Sequence, residues 1–418
     1  MTETHTTEAP GLRPALSALP TAVRAAASVI LLAALAGYGL VLNGQGEDKL
    51  ALSLAFGALF GIVLQRARFC FFCNFRDWYD ARDPRGLYAI LIALAAGLAG
   101  YTVVFGGWLP DAFSGRLPPT AFIGPVSVVL VLAGLTFGAG MAVSGSCVSA
   151  HLYRLGEGSP TAPFALVGTV AGFMLGFLTW NPLYLSVVSS APVIWLPGWL
   201  GYAGALAAGL LALAAIGLVL RRGTRNIVAQ PPRTLRHAVL IDRWPAAAGG
   251  LAVGALGTAA YLRVAPLGVT AEISGQARDL ADAFGWLPTR LEGLDTLRGC
   301  VTIVRDTLLT PNGAFVAALV IGSFAAALTA GQFKPAWPTR SQAGRGLAGG
   351  VLLGWGAMTG LGCTVGTLLS GIMAGALSGW VFGAAVFVGT AATLTLGRRA
   401  GLLPAGGSAG REPRNRPL

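Results

Sequence analysis

Charge is what this sequence has least of. Asp, Glu, Lys and Arg make up 11% of its 418 residues, against roughly 25% in a soluble domain. A chain with less than half that share cannot cover a water-facing surface, and the solvent left to it is lipid. Strand-like alternation over about ten residues is missing, which argues against a membrane β-barrel. No Gly-x-x-x-x-Gly-Lys-[Ser/Thr] phosphate loop occurs, so ATP-driven pumping has no support in this chain. Despite a net charge of +12, no basic and aromatic interleaving points to nucleic acid. The five cysteines are an odd count, and their positions are not those of a secreted disulfide framework. The polar start MTETHTTEAP leads to no small-residue cleavage site, so no cleaved signal peptide is expected.

What is present is apolar. Hydrophobic residues make up 54% of the chain. Apolar runs long enough to cross a hydrocarbon core of roughly 30 Å recur along it. In lipid, a helix closes its backbone hydrogen bonds within one segment. The sequence predicts an all-α polytopic membrane protein of nine to ten transmembrane helices plus short re-entrant ones. The first set is placed at 21–42, 50–65, 86–106, 123–143 and 161–180. The second is placed at 198–220, 244–262, 313–331, 345–361 and 376–397. Residues 1–20 and 404–418 read as disordered ends. The membrane part divides into 21–220 and 244–403, joined by a basic linker over 221–243. The stretch 263–312 is long and mixed in sign, and is expected to hold the short or re-entrant helices.

Positive charge alternates between connections. Arg66, Arg68, Arg76, Arg82 and Arg85 follow the second helix, Arg154 the fourth, and Arg221, Arg222 and Arg243 the sixth. The loop 107–122 has only Arg116, and 181–197 has no charge. The positive-inside rule then puts both termini in the cytoplasm.

An internal repeat is the most informative pattern. Gly138-Ala-Gly-Met-Ala-Val-Ser-Gly145-Ser-Cys147 lines up with Gly354-Trp-Gly-Ala-Met-Thr-Gly-Leu-Gly362-Cys363. Each copy ends an apolar helix with small residues and one cysteine. A weaker pair is Cys70 after the second helix and Cys300 after the seventh. Two halves of five helices must be inverted, and inverted repeats with broken helices are a common transporter plan. Gly57/Gly61, Gly134/Gly138, Gly172/Gly176 and Gly350/Gly354 sit four apart and serve close helix packing. Gly145, Gly360 and Gly362 differ, because beside a cysteine they can break the helix and turn N–H groups toward a substrate.

Cysteine is often only a small buried hydrophobe, and Cys73 is read that way. Cys147 and Cys363, in glycine-rich breaks, are read as functional. Cys70 and Cys300 stand between the two readings. Thiols in an apolar setting keep their protons and are weak donors, which suits a path that an ion must enter and also leave. Sulfur is soft and matches a substrate with a terminal sulfur. Backbone N–H groups at broken helix ends suit that substrate's oxygens. His151 can relay protons or bind substrate, or make a structural hydrogen bond at a helix end.

Several motifs occur in order: Phe69-Cys70 with Phe75-Arg76-Asp77, the Gly145-x-Cys147-x-Ser149-x-His151 run, Pro266-Leu-Gly-Val-Thr270, and Gly362-Cys-Thr-Val-Gly366. In this the chain resembles the YeeE/YedE family of membrane proteins over roughly residues 50–395. The resemblance implies a thiosulfate transporter with an hourglass-shaped inverted-repeat fold. It implies that cysteines corresponding to Cys70, Cys147 and Cys363 pass thiosulfate between S–H groups. It also implies a bacterial inner-membrane location and a small cytoplasmic sulfur-carrier protein as partner. The residues themselves lead to no expected cofactor or metal. The substrate-binding set expected here is Cys70, Cys147, Cys363, Cys300, Gly145, Ser146, Gly362, Thr364 and His151. The first half departs from the family pattern, with Ser146-Cys-Val-Ser-Ala-His151 where Gly-Cys-Thr-Ser-Gly-His is usual. Cys73 and Cys300 lie outside the three-cysteine core.

Other readings stay open. Cys70-Phe-Phe-Cys73 is a C-x-x-C, the pattern of a membrane thiol-disulfide oxidoreductase. A selenium or other sulfur compound is an alternative cargo. An accessory subunit without a pathway would tolerate loss of every cysteine. A metal site lacks a second ligand pair beside the C-x-x-C.

Overall fold

The computed structural model describes residues 20–222, 240–302 and 309–404. Nearly all of the expected disordered ends, and most of the basic linker 221–243, lie outside these described residues. Helices occupy all ten expected positions. They are α1 (Thr21–Gly44), α2 (Asp48–Ala67), α4 (Arg85–Trp108), α5 (Val128–Ser144), α7 (Ala162–Leu183), α8 (Pro197–Arg221), α9 (Ala246–Arg263), α11 (Pro311–Thr329), α12 (Arg340–Thr359) and α14 (Leu377–Arg399). Between them lie shorter helices: α3 (Phe71–Ala81), α6 (Val148–Gly156), α10 (Thr270–Ala283) and α13 (Gly371–Met373). A π-helical run, Thr364–Ser370, leads directly into α13. Among the described residues there is no strand, only two isolated bridges, Pro125 with Val193 and Trp195 with Ala376.

Among the described residues, eight helical spans are long and apolar enough to cross a membrane, or nine when α12 and the bent segment after it count as one. The helix outside this set is α9, which is rich in Gly and Ala. The expected additional helices between 263 and 312 are α10 and two 3-10 turns, Leu294–Thr296 and Cys300–Thr302. Some starts are displaced for local reasons. The helix expected from 123 begins at Val128, where the Ser127 hydroxyl accepts the Leu130 N–H at 3.1 Å. The helix expected from 345 begins at Arg340, where Thr339 and Gln342 form a reciprocal capping box.

The scaffold is held by glycine. The most extensive packing pairs α7 with α12, α2 with α11, α5 with α12, α5 with α14, and α4 with α9. At the α7/α12 seam a Cβ on Gly168 or Gly172 would strike the carbonyls of Leu347 and Val351. A Cβ on Gly350 or Gly354 would strike those of Ala165 and Thr169. The same interlock recurs where Gly57 and Gly61 meet Phe315 and Leu319, and where Gly138 meets Val386. Without a hydrophobic force between helices in lipid, such backbone proximity supplies the dispersion contacts that hold them. α1 and α8 lie at the periphery, with Val29, Ile30, Leu40, Leu211 and Leu218 exposed.

Gly354→Val should cost about 1–3 kcal/mol through overpacking against the Thr169 carbonyl and lower the melting temperature in detergent. Gly106→Ala, where nothing lies within reach of a new Cβ, is the control. Equal melting of the two variants would refute the interlock.

Candidate functional site

All five cysteines are buried and unbridged. The chain collects them into two groups, through helix breaks of similar construction. α5 ends at Gly145, whose φ of +83° suits glycine, and Cys147 then opens α6 from an extended backbone. α12 ends through Leu361 at φ +58° and Gly362 at φ +155°, and Cys363 opens the next helical segment, also extended. That segment, Thr364–Met373, is bent 45° from α12. α2 ends through a left-handed Arg68, and Cys70 opens α3.

The first group holds Cys70, Cys73 and Cys147. The Cys70 sulfur accepts the Cys73 N–H at 3.3 Å and neighbours the Cys147 thiol. The Cys147 sulfur lies 3.4 Å from the Ser149 hydroxyl and faces the N–H of Ala150. Phe69, Phe71 and Phe72, next to Cys70 in the chain, are buried as well. Cys73 accepts a hydrogen bond from the Arg154 guanidinium at 3.1 Å. Arg76 pairs with Asp77 at 3.1 Å, whereas Arg154 has no carboxylate ion pair among the described residues.

α3 and α6 are anchored so that these thiols meet. Arg398 clasps Asp80 through both carboxylate oxygens at 2.5 and 2.8 Å, and Tyr79 meets Thr395 at 2.7 Å, fixing α3 on α14. The far end of α6 is tied by Gln65, which donates to Glu157 at 3.2 Å and Gln332 at 2.6 Å, and by the Lys334 N–H on the Glu157 carbonyl. His151 is buried, with Nε2 3.1 Å from the Ser144 hydroxyl across the α5–α6 break. That bond links the two helices across the break, and Nδ1 is left without a partner among the described residues. The Ser146 hydroxyl turns back onto the Gly145 carbonyl at 2.6 Å.

The second group holds Cys363 and Cys300, which face one another and share Thr270 as neighbour. Cys363 accepts the Val365 N–H at 3.4 Å. The Cys300 N–H donates to the Leu361 carbonyl at 2.9 Å, pinning its loop to the α12 break. Thr364 is fully buried beside Cys363, and its hydroxyl has no partner. A small crevice lined by Phe122, Gly124, Arg298, Leu361, Thr367 and Ser378 opens beside this group.

The two groups occupy opposite ends of one helix crossing. α5 and α12 run antiparallel, with Ser144 against Gly349 and Ala133 against Gly360. At 1.5 Å per residue this puts Cys147 and Cys363 roughly 20 Å apart. Among the described residues no cluster of His, Cys, Asp or Glu is placed to hold a metal. Sequence reasoning missed two features. Thr270 stood inside a quoted motif yet carried no local sign of a site, and the Arg154–Cys73 bond arises only from the docking of α6 on α3.

Glu157 is half-buried just beyond α6, and burial pushes its carboxyl above the usual carboxylate range against the pull of Arg154. A raised folded value means the ionised form costs stability above it, and the cost vanishes below the unfolded value. Glu157→Gln should therefore raise the melting temperature at pH 8, and the gain should disappear by about pH 4. A gain of equal size at both pH values would contradict this.

A family model described as sulphur transport matches residues 66–392. A thiosulfate transporter TsuA of Spirochaeta thermophila is 30% identical over 347 residues, covering 78% of this chain and 93% of that protein. The thiosulfate transporter TsuA of Escherichia coli strain K12 is 36% identical over 102 residues, 24% of this chain and 27% of that protein. A probable transporter YedE of the same strain is 27% identical over 201 residues, 47% of each.

Proposed function

The chain belongs to the sulphur-transport, or YeeE/YedE, family, and from that premise we propose that it imports thiosulfate through a path lined by neutral thiols. It is a multi-pass membrane transport protein and not an enzyme, as its relatives are named transporters. The cargo and the path are our reading. One observation carries it: cysteine sulfurs lie at helix starts at both ends of the α5/α12 crossing. A soft sulfur there meets the terminal sulfur of thiosulfate, while helix N–H groups meet its oxygens. Weak S–H donors hold the anion without trapping it.

In this reading the halves form an inverted repeat. Exchanging α2, α4, α5 and α7 for α9, α11, α12 and α14 maps the five principal helix pairings onto one another, which supports it. Charge in the connections supports both termini in the cytoplasm of a bacterial inner membrane. Cys363 then lies toward the outside, and Cys147 and Cys70 toward the cytoplasm. The anion enters at Gly362, Cys363 and Thr364, crosses to Gly145, Ser146 and Cys147, and leaves past Cys70. His151 keeps the inner break in shape. A small cytoplasmic sulfur-carrier protein receives the cargo.

The test is uptake of labelled thiosulfate in cells lacking their own importers, with variants at parental abundance. The parent should take it up, and Cys147→Ala and Cys363→Ala should fall to background. A correctly inserted parent without uptake would rule out thiosulfate and leave a selenium or other sulfur anion. Cys73→Ser should keep most uptake, whereas its complete loss would favour redox cycling at Cys70 and Cys73.

A further inference from the structure

Each of the two thiol groups opens onto two helix starts, but they are furnished differently. In the first group both sulfurs come from the residues that open the helices, Cys70 for α3 and Cys147 for α6. In the second, Cys363 opens its own segment, while α10 is opened by Val269, which has no side chain able to cap it. The missing thiol arrives from a later loop. The sulfur of Cys300 faces the backbone N–H groups of Thr270 and Ala271 at the start of α10. Cys300 thus does for α10 what Cys70 does for α3.

The chain makes room for this arrangement. A Cβ on Gly366 would come within 2.9 Å of the Cys300 Cβ, and one on Gly362 within 3.3 Å. A Cβ on Gly268 would collide with the sulfur itself. Thr270 and Thr364 are both fully buried, and neither Oγ1 has a hydrogen-bond partner. Thr270 lies against both thiols. Buried polar atoms are nearly always satisfied in folded proteins. An unpartnered buried hydroxyl at Thr270 beside a pair of thiols, with a second at Thr364 next to Cys363, suits a small anion with sulfur at one end and oxygens at the other.

We propose that Cys300 and Thr270 are substrate-binding residues, forming with Cys363 and Thr364 the outer receiving site for thiosulfate, with its sulfur on the thiols and its oxygens on the hydroxyls. This rests on the thiosulfate reading above. No bond is made or broken at the site, because the contacts are hydrogen bonds alone. Cys300 is therefore a fourth thiol of the path, outside the three-cysteine core that the family resemblance implies.

The experiment pairs uptake kinetics with melting of the full-length protein in detergent, with and without thiosulfate. Thr270→Val removes an unpartnered hydroxyl at nearly constant shape, so melting without ligand should not fall. The half-saturation concentration for thiosulfate should rise about ten-fold, as expected for a lost hydrogen bond to a charged group, and stabilisation by thiosulfate should shrink. Thr270→Ser, which keeps the hydroxyl, should retain parental affinity. Cys300→Ala should behave like Thr270→Val. If it does not accumulate, the two threonine variants decide alone. Parental half-saturation in Thr270→Val, with the parent transporting, would overturn this assignment and leave the thiosulfate path standing. A parent neither transporting nor stabilised by thiosulfate would overturn both.

Discussion

A helix broken inside a membrane leaves N–H groups that lipid cannot satisfy, and the rest of this structure is arranged around that constraint. Helices start at buried cysteines after α2, α5 and α12, and a fourth thiol covers the start of α10. A thiol is an unusual partner for a helix start. Its sulfur is a weak acceptor, so the N–H groups are only partly satisfied and keep capacity for a stronger acceptor. A Ser or Asp in the same place would cap the helix fully and close it to a guest. The breaks are thus held together by something that yields.

The two ends of the crossing solve the same problem with different neighbours. At the Cys147 end, the Arg154 guanidinium donates to the sulfur of Cys73, so a positive charge accompanies the thiols. At the Cys363 end, hydroxyls of Thr270 and Thr364 take that place. The sequence difference behind this is small. Val148 follows Cys147 where Thr364 follows Cys363, and the hydroxyl goes with it.

Much of the fold was legible because lipid imposes a simple rule on composition. All ten long helices appear where apolar runs put them, and α9 is the one whose Gly and Ala dilute the signal. Starts were harder to place, since they depend on single caps such as Ser127 and Thr339. Cys147 and Cys363 stood out because glycine, cysteine and a helix end coincide in sequence. Thr270 did not stand out, because what distinguishes it is a loop delivered from Cys300. Arg154 looked like one inside-facing charge among several, and only the packing of α6 against α3 singles it out. Local pattern reveals what a residue does to its own helix, whereas contacts between distant segments must be seen.

The glycine seam also constrains how the molecule can move. Where Gly168 and Gly172 rest on the carbonyls of Leu347 and Val351, and Gly350 and Gly354 on those of Ala165 and Thr169, the two backbones mesh like gear teeth. Turning α12 about its axis by one residue, about 100°, would drive side chains into those carbonyls. Sliding it along α7 would do the same within one turn. The frame is therefore stiff, and α3 and α6 are pinned to it by the Arg398–Asp80 pair and the Gln65–Glu157 bond. Such packing sets the spacing of the helix breaks as a fixed wall sets the spacing of its openings.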